Sequence, residues 1–286
     1  MGILLGLLSA CFWGLADFLA ARVSRRSGAY RTLFYAQLIG WSALSVLLLP
    51  QNQLPSASLG IWLLAVLLGL LNVIGSLAFY RALQIGIVSL VSPIASSFAA
   101  VTMILALIGG ERPSAIQLAG LVLTLISVVS IGRLSQARSN TQSIETSESS
   151  KGLGLAVLAA LCFGFAMWLF DWTVPALGTI WPTWIVRLIA MLLLAAFAPT
   201  FNQPLDLPNK SLWPMLLAIG LIDTSAFLIY SLAITTAFTS VVAVLSSLFS
   251  VVTVVLAQLL LRERLSRAQW LALIGIFSGV GLISLP

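Results

Sequence analysis

Three charged residues lie inside long apolar segments of this chain, and they are the side chains best placed to do chemistry. They are Asp17, Arg187 and Asp223. Inserting a charge at the centre of a membrane-spanning helix costs about 2.5–3.5 kcal/mol, and charges retained there commonly mark functional sites. Asp223 is expected to bind a substrate amine or to take up a proton. An interior ion pair that holds two helices together is the alternative.

Arg187 is the predicted charge partner of Asp223. Its guanidinium group could neutralise the aspartate or bind a substrate carboxylate through two parallel hydrogen bonds. An ion pair would keep Asp223 ionised, which argues against a proton-carrying role. Asp17 lies towards one end of the first apolar segment. Its position is equally consistent with a gating residue and with a helix-end residue beside Arg22. Coupling or gating is therefore predicted for these three charged residues.

The second half of the chain repeats the first. The segment IWLLAVLLGLLNVIGSLAFYRAL aligns with LWPMLLAIGLIDTSAFLIYSLAI, which places Asn72 on Asp223, and Gln37 likewise matches Arg187. Five predicted spans in each half mean that the second copy enters the membrane from the opposite side. Such inverted repeats are typical of transporters with a substrate site at the pseudo-two-fold axis, near the middle of the bilayer.

Aromatic and polar side chains follow these paired positions at helical spacing. Phe227 and Tyr230 follow Asp223 at i+4 and i+7, which places the three on one helical face. Tryptophans in the first and sixth spans could stack on a ligand or a cation, or could instead pack between helices. The predicted substrate-binding residues are Trp13, Asn72, Ser76, Tyr80, Trp168, Asp223, Phe227 and Tyr230.

Ten apolar runs of roughly 20 residues, the length that spans a bilayer as a helix, account for most of the chain. Pro93 in the fourth run and the serines of the ninth predict kinks or local unwinding. Ser114 with Gln117, and Ser266 with Gln269, have the spacing of helix-capping boxes. The runs are about 2–23, 31–49, 59–80, 86–108, 114–133, 152–173, 179–199, 211–232, 239–261 and 267–285.

The composition excludes a soluble globular domain. The 286 residues are 60% hydrophobic and 8% charged, with a mean hydropathy of +1.11, whereas a soluble domain carries about a quarter charged residues. The predicted fold is all-α, with ten transmembrane helices built as two inverted five-helix repeats around a central cavity. The repeats occupy residues 1–133 and 152–286, and the polar segment 134–151 is predicted to be a flexible linker.

Several classes of function are excluded by the residues that are missing from the sequence. The chain has no histidine, which removes histidine metal sites, histidine acid–base chemistry and serine–histidine hydrolysis. It also lacks a phosphate-binding glycine loop, a nucleophile elbow and cysteines at metal-ligand spacing. We therefore expect no enzyme activity, no cofactor, no metal and no nucleic-acid partner. The expected partners are a small-molecule substrate and the lipid bilayer, with the chain functioning as a monomer.

The basic residues predict how the chain is oriented. With the N-terminus outside, twelve of the fourteen Lys and Arg residues fall in inside loops. Because positive charge accumulates on the inside of membrane proteins, both termini are predicted to lie outside. The predicted location is a bacterial cytoplasmic (inner) membrane.

Related motifs recur at matching positions of the two halves. They are ACFWGLADF and LCFGFAMWLF in the first and sixth spans, VSLVSPI before GERPSAIQLAG, and AITTAFTSVVAVL before RERLSRAQWLALIG. On these motifs the chain resembles the ten-helix EamA-type members of the drug/metabolite transporter superfamily. The resemblance implies a basket-like bundle with a cavity lined by helices one, three, four, six, eight and nine. Many relatives have cytoplasmic termini, whereas the arginines here favour the opposite orientation.

The repeat and the resemblance together predict secondary active transport by alternating access. The expected substrates are small organic metabolites such as amino acids or related amphipathic compounds. Export is the expected direction, with proton coupling or exchange as the driving force. The alternatives are a flippase for a lipid-linked sugar or other amphiphile, and a multidrug exporter.

Overall fold

Helices form every regular element of the residues that the computed structural model describes. Those residues are 1–50, 54–86, 88–139, 147–203 and 205–261, with isolated positions between 271 and 282. The predicted tenth span, 267–285, therefore lies largely outside the described residues. The α-helices are α1 (Gly2–Ser27), α2 (Ala29–Leu48), α3 (Leu59–Ile85), α4 (Val88–Ala95), α5 (Phe98–Ile108), α6 (Ala115–Ser139), α7 (Ser147–Leu177), α8 (Trp181–Phe197), α9 (Trp213–Ile234), α10 (Thr239–Ser246) and α11 (Phe249–Leu261).

Six helical stretches within the described residues are long and apolar enough to cross a membrane, and two shorter apolar helices accompany them. The helix α2 has sufficient length, but Arg31 and Gln37 lower its hydropathy. Many leucine and isoleucine side chains on the outer helical faces are exposed, as lipid contact favours. The protein is therefore all-α and multi-pass, while the full count of ten spans stays a prediction. The six stretches are Gly2–Ser27, Leu59–Ile85, Val91–Ile108, Lys151–Leu177, Lys210–Ile234 and Thr239–Ala257.

The predicted fourth and ninth spans are each broken into two helices, which confirms the predicted kinks. Two residues separate α4 from α5 just after Pro93, and two residues separate α10 from α11 in a serine-rich stretch. At both breaks a serine hydroxyl donates to the carbonyl three residues earlier, from Ser97 to Ile94 and from Ser247 to Val244, each at 2.7 Å. These bonds satisfy carbonyl groups at the breaks, so the irregular backbone is tolerated at membrane depth.

The predicted capping box at the start of α6 is confirmed. The Ser114 amide donates to Gln117 Oε1 at 3.1 Å, and the Gln117 amide donates to Ser114 Oγ at 3.2 Å. The two bonds satisfy amides that have no partner inside the helix. The second predicted box, Ser266 with Gln269, lies outside the described residues.

The helices on either side of the predicted linker extend further than the apolar runs. The linker was predicted over 134–151, but α6 continues to Ser139 and α7 begins at Ser147. The added turn of α6 contains the good helix formers Leu134, Gln136, Ala137 and Arg138, which favour helix irrespective of polarity. Residues 140–146 lie outside the described residues.

Helix packing is preserved when the two halves of the chain are exchanged. The helix α1 packs on α9 and on α11, and its counterpart α7 packs on α3 and on α5. Likewise α2 packs on α9, and its counterpart α8 packs on α3. Equivalent helices of the two sequence repeats therefore make equivalent contacts, as expected for two halves related by a pseudo-two-fold axis.

Individual hydrogen bonds follow the same symmetry. Thr253 Oγ1 donates to the Gly14 carbonyl at 3.2 Å, and the equivalent Thr102 Oγ1 donates to the Gly164 carbonyl at 3.0 Å. A methyl group at Gly14 would lie 2.5 Å from Val252 Cβ, too close for real carbon atoms. Glycine is therefore required where α1 crosses α11, as small residues commonly are at close helix crossings in membranes.

Candidate functional site

A buried cavity of about 50 Å³ lies between the two halves. Seven of its thirteen lining residues are aromatic and two are aspartates. No Lys or Arg stands among the lining residues in the described part of the chain. The lining residues are Trp13, Asp17, Leu33, Gln37, Ser76, Phe79, Tyr80, Phe98, Phe163, Met167, Asp223, Phe227 and Phe249.

The cavity wall is built from seven helices. The helices α1, α3, α5, α7, α9 and α11 belong to the six spans that the resemblance implied, and α2 contributes in addition. A volume of about 50 Å³ accommodates small numbers of water molecules, whereas ligand pockets typically measure about 300–1,000 Å³. The cavity is therefore much smaller than a typical ligand pocket.

Residues at equivalent positions of the two sequence repeats contact each other beside this cavity. Gln37 and Arg187 are equivalent positions of the repeat, and they contact each other at 2.8 Å. Phe98 and Phe249 are also equivalent, and their rings stack with centroids 6.3 Å apart and planes at 15°. A residue can contact its own symmetry mate only close to the axis. Three of these four residues line the cavity, which is where an axis between the two repeats is expected to lie.

Asp223, Arg187 and Gln37 form a buried polar network beside the cavity. Arg187 Nη1 lies 2.7 Å from Asp223 Oδ2 and 2.8 Å from Gln37 Oε1. The Arg187 side chain is 1% exposed, and its guanidinium carbon lies 4.8 Å from the centre of the Phe227 ring. Because a buried cation needs a partner, the Asp223 carboxylate is already matched by Arg187. Of the two alternatives for Asp223, the structure therefore contains the interior ion pair with Arg187 and not an unpaired carboxylate.

Asp17 faces the same cavity without a counter-charge. Its side chain is 8% exposed and lines the cavity. Among the described residues, no group donates a hydrogen bond to it and no Lys or Arg pairs with it. Arg22 was an expected neighbour, but its guanidinium lies 5.9 Å from the centre of the Phe18 ring. The repeat equivalent of Asp17 is Met167, which also lines the cavity.

Five of the eight predicted substrate-binding residues line the cavity. They come from α1, α3 and α9, the helices in which the sequence placed them. The three remaining residues lie elsewhere in the described structure. The lining members are Trp13, Ser76, Tyr80, Asp223 and Phe227.

Three of the predicted residues do not line the cavity, namely Asn72, Tyr230 and Trp168. Asn72 is fully buried and accepts a hydrogen bond from Ser76 Oγ at 3.4 Å. Tyr230 is fully buried behind Trp13, with ring centroids 5.7 Å apart. Trp168 packs against Trp172 at 6.0 Å. Asn72 therefore supports the wall instead of forming it.

An aromatic cluster closes one side of the cavity. It consists of Trp13, Phe170, Phe227 and Tyr230, with ring centroids between 5.0 and 6.0 Å apart. Tyr230 lies two helical turns beyond Asp223, which is about 10 Å along α9. The cluster therefore separates Asp17 and Asp223 from the end of the bundle at which α9 ends.

Two carboxylates tie helices together at that same end. Glu111, in the loop after α5, accepts hydrogen bonds from the Thr239 amide at 2.7 Å and the Ser240 amide at 3.1 Å. The Ser240 hydroxyl also donates to Glu111. Asp171, near the end of α7, accepts from the Thr239 hydroxyl at 2.6 Å. These bonds cap the N-terminus of α10 with side chains from two other elements.

Sequence reasoning missed several apolar lining residues. Phe98 and Phe249 each begin the second helix of a broken span, directly after the break. Their occurrence at equivalent repeat positions was a signal that could have identified them. Leu33 of α2 carried no such signal, because a leucine in an apolar helix does not indicate which face meets a cavity.

Comparison with known proteins identifies the family. The EamA-like transporter family matches residues 1–133 and 150–285. An uncharacterized protein of Methanocaldococcus jannaschii is 30% identical over 128 residues, which are 44% of this chain and 93% of that protein. A crystal structure of a protein superposes on this chain with a TM-score of 0.74 at 17% sequence identity. The superposition covers 99% of this chain and 96% of that protein chain, so the two share a fold. The chain is a multi-pass membrane protein and belongs to the EamA-like transporter family of the drug/metabolite transporter superfamily.

Proposed function

We propose that this protein is a secondary active transporter that exports small organic metabolites, amino acids included, by alternating access. The observation that supports this most strongly is the position of the cavity. It lies between the two halves of the chain, helices from both halves form its wall, and the repeat-equivalent Gln37 and Arg187 contact each other beside it. In inverted-repeat transporters the substrate binds at the interface between repeats, and rocking one half against the other exposes it to each side in turn.

The proposal includes ten spans in two inverted repeats, residues 1–133 and 152–286, with both termini outside the cytoplasmic membrane. The breaks in two symmetry-related spans support it, because discontinuous helices are typical of substrate sites at the bilayer midplane. The aromatic cluster and the Glu111 contacts would form the closed side of the path. The small cavity volume fits an intermediate that must open before a metabolite enters.

Counterflow in proteoliposomes tests the transport function directly. Vesicles loaded with an unlabelled mixture of amino acids and amines are diluted into each labelled compound in turn. Accumulation of label above equilibrium, absent from protein-free vesicles, is the expected result. Failure of every compound to move while at least one binds the purified protein would argue for a receptor instead.

The direction and driving force need a separate measurement. Everted membrane vesicles expose the cytoplasmic face, so an exporter accumulates substrate in them when a proton gradient is imposed. Uptake only into right-side-out vesicles would contradict export. Indifference to the gradient combined with strong counterflow would favour exchange over proton coupling.

A further inference from the structure

We propose that the central cavity binds an organic amine in its cationic form, with Asp17 as the counter-charge. The proposal rests on the proposed function only for the movement of the ligand across the membrane. Binding itself requires that the helices around the small cavity move apart enough to admit the ligand. The ligand class is a small body with an apolar part and one ammonium group, primary or quaternary.

The charges around the cavity provide the first argument. Two carboxylates line it, Asp17 and Asp223, and the lining residues in the described part of the chain include no Lys or Arg. Arg187 sits behind the wall and is bonded to Asp223 at 2.7 Å. Asp223 therefore has a counter-charge, whereas Asp17 has none among the described residues, so an ammonium group beside Asp17 would supply the charge that its ionised form needs. A buried carboxylate without a partner is unfavourable, so a cation that reaches Asp17 gains more than it would in water.

The aromatic rings provide the second argument. Trp13 precedes Asp17 by four residues, so the two side chains lie on one face of α1. Phe79 and Tyr80 line the cavity from α3. The faces of aromatic rings attract ammonium groups, and such contacts strengthen when water is excluded. The Arg187 guanidinium carbon already lies 4.8 Å from the centre of the Phe227 ring. The rings available to a ligand are therefore those of Trp13, Phe79 and Tyr80.

The same features select against other ligand classes. A ligand whose only charge is a carboxylate or phosphate would meet two carboxyl side chains across a small cavity, with no cation on the described wall. A neutral polyol would bring no charge to Asp17, and the uncharged polar side chains on the described wall are few, because Gln37 already accepts from Arg187 and the others with hydroxyl groups are Ser76 and Tyr80. Specificity for an ammonium group thus comes from both attraction and exclusion.

Isothermal titration of the purified full chain in detergent tests the binding. The probes are phenethylamine, its N,N,N-trimethyl derivative, 2-phenylethanol and 3-phenylpropionate, which share the apolar body and differ in charge. Both cations are expected to bind, and the alcohol and the acid are expected to bind at least about tenfold more weakly. Equal affinity for phenethylamine and 2-phenylethanol would overturn the proposal.

Two substitutions at one position separate charge from shape. Asp17→Asn keeps the shape and removes the charge, and phenethylamine affinity is expected to fall about 10- to 100-fold. Asp17→Glu keeps the charge and is expected to retain clearly tighter binding than Asp17→Asn. Unchanged affinity in Asp17→Asn would overturn the proposal. The thermal midpoint of Asp17→Asn is expected to match or exceed that of the original protein, because Asp17 has no hydrogen bond or ion pair among the described residues to lose. A marked drop would assign Asp17 a structural role instead.

The two proposals can fail independently. If phenethylamine binds in an Asp17-dependent way but no probe crosses the proteoliposome membrane, the transport function fails and the amine site stands. If amino acids or sugars move in counterflow while amines neither bind nor compete, the amine site fails and the transport function stands.

Discussion

The Asp223–Arg187 pair makes a quantitative prediction about stability. Arg187 is 1% exposed, so Asp223→Asn would leave a buried guanidinium with only the neutral amide of Gln37 as its close partner. Removing one member of a buried ion pair typically lowers the free energy of unfolding by about 3–5 kcal/mol. We expect Asp223→Asn to fall in that range. Arg187→Gln should lose somewhat less, since the Asp223 side chain is 15% exposed and faces the cavity.

The double variant Arg187→Gln/Asp223→Asn is the informative member of the set. It gives the second half the residue types that the first half already carries at Gln37 and Asn72. Two neutral amides leave no uncompensated charge, so its loss should be smaller than the loss in Asp223→Asn alone. The resulting coupling free energy should be about 2 kcal/mol or more in favour of the pair.

Chemical unfolding in mixed detergent micelles, followed by tryptophan fluorescence and extrapolated linearly, measures all three free energies. Asp206→Asn is the control, because its pairing with Arg31 is long, 3.7 Å, and Asp206 is 82% exposed. That change should stay within about 0.5 kcal/mol. Unfolding free energies that add across the two single variants would refute the reasoning, as would an Asp223→Asn variant within about 1 kcal/mol of the original protein.

The remaining predictions concern packing and capping. Glu111→Gln should lower the free energy of unfolding by about 1–3 kcal/mol, because the charge-assisted hydrogen bonds to α10 are lost. Thermal unfolding measures this loss, and a loss no larger than that of Arg112→Gln would contradict the prediction. Gly14→Ala should cost about 1–3 kcal/mol through overpacking, whereas Gly154→Ala, which meets no atom within 4 Å, should be neutral or stabilising. Equal losses in those two glycine variants would show that the close crossing does not matter. Thr102→Val and Thr253→Val should each lose about 0.5–1.5 kcal/mol, and clearly unequal losses would speak against symmetric crossings.

The features that could be predicted from the sequence are those with a local or repeated signal. Pro93 and the serines of the ninth span indicated the two helix breaks because backbone chemistry is local. The spacing of Ser114 and Gln117 indicated a capping box for the same reason. The repeat register placed Asn72 on Asp223, which directed attention to the helices that form the cavity.

The features that escaped prediction depend on contacts between distant segments. Gln37 joins the Asp223–Arg187 network because α2 packs against α8. No local sequence pattern predicts that these two helices are in contact. The isolation of Asp17 is also non-local, because Arg22 is close in sequence but lies over Phe18. Asn72 shares its register with Asp223 yet stands behind the wall, since the two halves are similar but not identical in packing.

The symmetry of the fold itself explains why the charges differ between the halves. A residue on a two-fold axis contacts its own mate, as Gln37 contacts Arg187 at 2.8 Å. Arginine at both positions would place two like charges about 4 Å apart, a repulsion of about 4 kcal/mol in a medium of intermediate dielectric constant. A charged residue at such a contact therefore excludes the same charge at its equivalent position. Residues whose equivalents do not touch, such as Thr102 and Thr253, can remain the same. The cavity-lining Asp17 and Asp223 likewise have the uncharged equivalents Met167 and Asn72, so the charges around the cavity all differ between the two repeats.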